Sequence, residues 1–183
     1  MRMTSFSRQA AYAALMALLV VGGPALAQNR TTGLRLDSNR PVQIEGDQLE
    51  VLEDQGKAVF NGNVRVAQDK TVLRTGRLVI HYASGGSGGS ITSSASKIEK
   101  LEATGGVNIQ NGTQVATGDT GVFDMRTEVL VLSGKRVTLS EGGNVATGCK
   151  LTVSMKDGRA KLQGCGDSGS RPTILLQPQS SGN

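Results

Sequence analysis

Ala58-Val-Phe-Asn-Gly62-Asn-Val-Arg-Val66 is the stretch whose reading decides the fold. A short apolar run, Ala58-Val59-Phe60, precedes its glycine and an alternating Val64-Arg65-Val66 follows it, both signals of a β-strand. The unit recurs as Ala103-Thr-Gly105-Gly-Val107-Asn-Ile109 and, with one extra residue, as Leu132-Ser-Gly134-Lys-Arg-Val137-Thr-Leu139. A truncated copy reads Leu162-Gln-Gly164. Between these copies lies a second version: Ile44-Glu-Gly46-Asp-Gln-Leu49, Arg74-Thr-Gly76-Arg-Leu78-Val-Ile80, Val115-Ala-Thr-Gly118-Asp119 and Val145-Ala-Thr-Gly148-Cys-Lys-Leu151-Thr-Val153.

From Gly46 onward, the steps between these glycines are 16, 14, 29, 13, 16, 14 and 16 residues. The one long step contains Ala83–Ser96, a Ser/Gly-rich run of loop character. A fixed period with one insertion implies a stack of similar β units carrying an external loop over 83–97. Turn signals sit midway between glycine pairs, at Glu53-Asp54-Gln55-Gly56, Met125-Arg126-Thr127 and Lys156-Asp157-Gly158-Arg159. The strands therefore run out and back as a meander.

A glycine at the same place in every strand reads as a bulge or corner. The apolar parity agrees. Val42 and Ile44 are even-numbered, whereas Leu49 and Val51, after Gly46, are odd, so the apolar face shifts by one residue at the glycine. The expected fold is all-β, a sheet folded over itself with aliphatic side chains inside. Inward candidates are Val42, Ile44, Leu49, Val51, Phe60, Val64, Val66, Leu78, Ile80, Leu101, Val107, Ile109, Leu132, Val137, Leu139, Leu151, Val153 and Leu162.

Residues 1–27 read as a secretory signal peptide. Arg2 and Arg8 precede the apolar run Ala10–Val21, and Ala25-Leu26-Ala27 is an A-x-A cleavage site. Residues 28–40 are then a mobile N-terminal segment and 178–183 a disordered tail. The chain has 183 residues, of which 156 remain after cleavage. Without Arg2 and Arg8 the remainder carries 18 basic and 15 acidic residues, dispersed along the strands. Such dispersal describes a solvated face rather than a nucleic-acid track. Only Phe60, Tyr82 and Phe123 supply aromatic rings after residue 27, too few for a base-stacking platform or a sugar groove.

Cys149 and Cys165 each follow a repeat glycine and flank the Asp157-Gly158 turn. An even cysteine count in an exported chain favours a structural disulfide. A metal site needs more ligands than these two and the distant His81, and the spacing is not C-x-x-C. His81 has no acid partner visible in the sequence and reads as solvated or packed. The carboxylate pairs Asp47/Glu50 and Asp119/Asp124 fall beside glycines or turns, where acids cap and solvate. Together with the absence of a phosphate-loop motif, this points away from an enzyme, a cofactor or a metal.

Several motifs, in order, carry a family resemblance: the signal peptide, Pro41-Val-Gln-Ile-Glu-Gly-Asp-Gln-Leu49, Ala58–Val66, the Gly-rich insert, Val115-Ala-Thr-Gly-Asp119, Val129-Leu-Val-Leu-Ser-Gly-Lys135 and Arg171-Pro-Thr-Ile-Leu-Leu176. Over most of residues 40–177 this resembles the LptA (organic-solvent-tolerance A) family of periplasmic lipopolysaccharide-transport bridge proteins. The two cysteines, the Ser/Gly-rich insert and the low aromatic content depart from that family's pattern.

The resemblance implies an open, twisted β-jellyroll over residues 41–177, built from antiparallel strands around a hydrophobic groove. It implies a periplasmic, non-enzymatic protein that binds lipopolysaccharide and shields its lipid A acyl chains between inner and outer membrane. Val42, Ile44, Leu49, Val51, Phe60, Val64, Val66, Leu78, Ile80, Val107, Ile109, Val137 and Leu139 would line the acyl-chain path. Ile174, Leu175 and Leu176 would form an assembly edge, opposite a first edge near Pro41–Leu49. Implied partners are an inner-membrane anchored protein of the same fold, the N-terminal domain of an outer-membrane translocon, and further copies of the chain stacked head to tail, with no nucleic acid. Three other readings remain. The inner-membrane partner would keep its anchor. A secreted or periplasmic β-solenoid scaffold or adhesin would have a dry, packed inner face. A β-helix polysaccharide enzyme would need a carboxylate cluster and aromatic subsites.

Overall fold

The computed structural model describes residues 40–83, 98–166 and 170–178. The expected signal peptide, all but the last residue of the mobile segment 28–40, nearly all of the insert 83–97 and most of the tail 178–183 lie outside the described residues. The strands are β1 (Gln43–Glu45), β2 (Gln48–Leu52), β3 (Lys57–Gln68), β4 (Thr71–Tyr82), β5 (Ile98–Asn111), β6 (Gln114–Asp124), β7 (Val129–Glu141), β8 (Asn144–Ser154), β9 (Arg159–Gln163) and β10 (Thr173–Leu175). The helical content among the described residues is one 3-10 turn, Glu53–Gln55.

All ten strands form one antiparallel sheet in the order β1-β3-β4-β5-β6-β7-β8-β10, with β2 also on β3 and β9 also on β8. The register shifts in every long pair, between Asn61 and Val64, Thr75 and Arg77, Thr104 and Val107, Thr117 and Thr120, and Ser133 and Val137. Each of these shifts falls on a repeat glycine, so the corners expected from the sequence are bulges, and one further shift, between His81 and Tyr82, lies beside the insert. At the two ends the glycine breaks a strand in two. β1 pairs with the Arg65–Ala67 half of β3 and β2 with the Lys57–Asn61 half. Likewise β10 pairs with Val145–Thr147 of β8, and β9 with Lys150–Ser154.

The line of bulges divides the sheet into two leaves. Side chains from both leaves form one apolar cluster in which Leu78, Leu132, Val137, Leu151 and Val153 are fully buried. A single sheet face reaches such burial only when a second layer covers it, and here the sheet covers itself. The parity argument holds at the first corner, since Ile44 lies opposite Val66 and Leu49 opposite Phe60, and all four join the interior rows.

The turns of the two leaves differ. Two-residue links at Asp69-Lys70, Gly112-Thr113 and Gly142-Gly143 close the lower leaf. Four-residue links at 53–56, 125–128 and 155–158, together with the insert, close the upper leaf. The upper turns coincide with the turn signals in the sequence, and the lower ones carry the turn dipeptides Asn111-Gly112 and Gly142-Gly143 as well.

The bulge glycines answer two demands at once. Gly105 has φ +83°, and a Cβ on it would lie 3.3 Å from the Gly76 Cα. Gly105→Ala is expected to cost about 1–3 kcal/mol through its backbone conformation alone. Gly112→Asn should stay within about 0.5 kcal/mol, because that turn has φ +56° with open space around it and Asn tolerates the left-handed region. Urea denaturation of both variants checks the contrast.

Cys149 and Cys165 are joined in a disulfide with a Cα separation of 5.0 Å. The four-residue turn pairs Lys150 with Gln163, which leaves the two cysteines offset by one position. Cys165 lies past the end of β9, where the chain is free to approach Cys149.

Candidate functional site

Three interior rows cross the whole sheet. In the lower leaf the row is Ile44, Val66, Leu73, Ile109, Ala116, Leu139, Ala146 and Ile174. In the upper leaf one row is Leu49, Phe60, Leu78, Ala103, Gly121, Leu132, Leu151 and Leu162. The other is Val51, Ala58, Ile80, Leu101, Phe123, Leu130, Val153 and Ala160. Every one of these positions is apolar or glycine. Strand alternation puts their neighbours on the outer faces, where the charges lie.

Burial along the rows is uneven. Val64, Val66, Leu78, Ile80, Val107, Ile109 and Val137 are buried to between 0 and 3% exposure. Val42 (just before β1), Ile44, Phe60 and Leu139 pack on this cluster half-buried. Leu49 is 50% and Val51 39% exposed. At the opposite end Ile174, Leu175 and Leu176 are all exposed. Ile174 continues an inner row, Leu175 faces outward, and Leu176 follows the strand. The interior is thus closed in the middle and open at both ends of the sheet.

Among the described residues, both ends also carry unpaired backbone. The first edge consists of β1 and β2 and reaches Leu52, beyond the expected Pro41–Leu49. The last consists of β9 and β10, where sequence reasoning saw only the terminal strand. The recurring glycine was the available signal, because it splits the end strands as it bends the central ones.

At the lower rim the interior turns polar. Asn111 Nδ2 donates to Thr71 Oγ1 at 2.8 Å, Gln114 Nε2 to Glu141 Oε2 at 2.9 Å, and Gln68 Nε2 to the Arg40 carbonyl at 3.1 Å. Gln68, Thr71 and Gln114 are buried. The upper rim is apolar, with Tyr82, Ile98, Met125 and Met155 on the core cluster. Burial pushes the Tyr82 phenol pKa up. Core members absent from the sequence-derived set include Leu73, Phe123 and Leu130. Phe123 is recoverable by extending the hairpin register, which sets it opposite Leu101.

The charged groups that invite a catalytic reading serve other ends. His81 has a partner after all: its Nε2 lies 3.0 Å from Glu102 Oε2 across the strand pair. Lys100 Nζ lies 2.7 Å from the other oxygen, Oε1. The Lys100 hydrogen bond, helped by His81, holds the Glu102 carboxyl below the usual carboxylate range. Asp47 accepts from Asn63 Nδ2 at 2.8 Å, and Asp119 from the Lys135 N–H at 2.8 Å. Asp124 accepts from the N–H groups of Thr127 and Arg126, and the Thr127 bond above all lowers its pKa. Among the described residues no group of three His, Cys, Asp or Glu side chains is placed to hold a metal ion.

Comparison with known proteins bears on this open, two-leaved sheet. The family model described as LptA/(LptD N-terminal domain) LPS transport protein matches residues 43–159. The chain belongs to that LPS transport family. The match runs from the first edge strand to the start of β9, so it spans the whole bulged repeat. The lipopolysaccharide export system protein LptA of Escherichia coli (strain K12) is 29% identical over 163 residues, 88% of this chain and 80% of its own length. An uncharacterised protein of Rhizobium meliloti (strain 1021) is 42% identical over 164 residues, 88% of this chain and 86% of its own. Among solved structures, Pseudomonas aeruginosa LptH, the LptA-homologous periplasmic component of a lipopolysaccharide transport device, superposes with a TM-score of 0.63 at 19% identity. That match covers 78% of this chain and 99% of LptH. It shows the fold, an open β-jellyroll.

Proposed function

We propose that this protein carries lipopolysaccharide across the periplasm, holding the acyl chains between the two leaves. The observation that carries this reading is the set of three apolar rows, unbroken from one open edge to the other, in a chain of the LPS transport family. Aliphatic walls suit acyl chains, which need no oriented polar contact. Burying one CH₂ contributes ~0.8 kcal/mol, so a chain of roughly a dozen carbons gives ~10 kcal/mol gross, before association costs. Contact between the leaves is chiefly apolar. An acyl chain that parts them replaces one apolar contact with another, and the open mouths at Leu49/Val51 and Ile174 are where parting starts. Val42, Phe60, Val64, Val66, Leu78, Ile80, Val107, Ile109, Val137 and Leu139 line the way between.

The protein is exported to the periplasm by its signal peptide, which is cleaved after Ala27. Its two edges take other strands by backbone pairing. Unlike ends that pair in this way propagate head to tail. The partners are further copies of the chain, an inner-membrane protein of the same fold, and the N-terminal domain of the outer-membrane translocon. Residues Ile174–Leu176 form one such edge.

The closed centre of the interior favours a second reading, a dry scaffold without cargo. Photocrosslinking in cells separates the two. Crosslinkers at Ile44, Leu49, Val66 and Ile109 are expected to give lipopolysaccharide adducts, while one at the outward-facing Val122 gives none. Adducts from none of the four inner positions leave the scaffold as the better account.

A further inference from the structure

At the crease between the leaves lies a cavity of about 600 Å³, and its lining mixes two chemistries. Val64 and Val107 belong to the apolar interior, whereas Arg65, Arg74 and Asn108 belong to the outer face. The three polar residues are register partners on adjacent strands, Arg65 opposite Arg74 and Arg74 opposite Asn108. Like charges directly opposite in a sheet are destabilising, and here the opposing charge is sparse. The Arg65 guanidinium lies 3.7 Å from Glu45, with both side chains substantially exposed. Among the described residues no carboxylate lies within ion-pair distance of Arg74. Asp47 accepts from the side chain of Asn63, and Asp119, which follows the lining Gly118, accepts from the Lys135 N–H. Gly106 opens the crease, since a Cβ there would meet nothing within 4 Å.

We infer that Arg65 and Arg74 dock the anionic headgroup, phosphate or carboxylate, of an amphiphile whose chains the interior holds. The inference rests on the lipid-carrying reading and adds to it a headgroup subsite. Two guanidinium forks on neighbouring strands, with Cβ atoms roughly 5 Å apart, suit the several oxygens of one phosphate, which Arg binds in bidentate fashion. Asn108 adds a neutral donor beside them. Anion binding relieves the repulsion between the two arginines. The site also adjoins the valines of the crease, so an anionic group held there leaves its hydrocarbon facing the interior.

The test compares the binding of dodecyl phosphate, dodecyl maltoside and inorganic phosphate to the full mature chain by calorimetry, below the micellar concentrations and at low salt. Dodecyl phosphate is expected to bind about tenfold more tightly than dodecyl maltoside, the range of one charge-assisted hydrogen bond. Arg65→Gln and Arg74→Gln should each remove most of that preference and leave dodecyl maltoside binding unchanged, while Arg74→Lys should retain part of it. Equal binding of the two amphiphiles, or a preference that survives the double Gln variant, overturns the headgroup site and leaves lipid carriage standing. Binding of neither amphiphile overturns both. Inorganic phosphate that binds as tightly as dodecyl phosphate overturns the headgroup assignment in favour of a free-anion site.

Discussion

Reduction of the Cys149–Cys165 disulfide is expected to lower stability by about 3 kcal/mol and to release the last strand from the sheet. The magnitude follows from chain entropy. The bridge spans 16 positions, and a loop of about 15 residues is worth ~3 kcal/mol on that account. The location follows from how little else holds β10. Its three residues are all exposed, and it pairs on one side only. Beyond it the Gln177 N–H donates to Asn144 Oδ1 at 2.9 Å. Before it, the Cys165 N–H donates to the Ser170 carbonyl at 3.1 Å. The disulfide fixes the point where the chain leaves β9 to cross from the upper to the lower leaf. Without it, those few hydrogen bonds must offset the conformational freedom that the last strand regains. Amide exchange of oxidised protein against a Cys149→Ser/Cys165→Ser variant checks this. Protection should vanish at Thr173–Leu175 and persist in β4 to β7. Equal protection at Ile174 in both forms would show that the bridge does not hold the edge.

The architecture was legible because one device repeats. A glycine every 13 to 16 residues, with one longer step, dictates a bulge, and where a single residue is added the apolar parity switches, as Ile44 against Leu49 shows without any structure. The inward candidates lie on interior rows or at the crease, apart from Val42, which packs on the same cluster just before β1. Depth of burial was not legible, because alternation reports the face of a sheet and not the distance to its edge. Val51 and Val153 follow the same pattern and share a row, yet Val51 is exposed on an edge strand while Val153 is buried. Nor was the pairing of His81 with Glu102 visible. Those residues are 21 positions apart, and only the register between β4 and β5, set across the long insert, brings them together. The arginine pair at the crease was hidden in the same way, as two dispersed positive charges among many. The three rings reached the upper leaf or its rim and the apolar cluster. The interior row of the lower leaf, from Ile44 to Ile174, is therefore aliphatic down to the polar rim.

Leu132→Ala is expected to cost about 3–5 kcal/mol, while Leu49→Ala, on the same interior row, costs about 1 kcal/mol or less. Leu132 is fully buried, between Gly121 on one side and Leu151 on the other. A Cβ built on Gly121 would lie 3.0 Å from Leu132 Cδ2, so Leu132 fills the space that the glycine leaves. No side chain on that strand can move in after truncation, which places the cost toward the upper end of the range for Leu→Ala. Leu49 is half exposed on β2 and is paired on one side. Its truncation removes little buried area and leaves no closed cavity. Function should divide the other way. Leu49→Asp puts a charge in the open mouth of the interior, where it meets water in the free protein and would meet an acyl chain under the proposed function. It should leave the urea midpoint nearly unchanged and sharply reduce lipopolysaccharide adducts from a crosslinker at Ile44. A Leu49→Asp protein as unstable as Leu132→Ala would mean that the first edge is part of the packed core and not an entrance. One that is stable and still fully loaded would mean that cargo enters elsewhere along the crease.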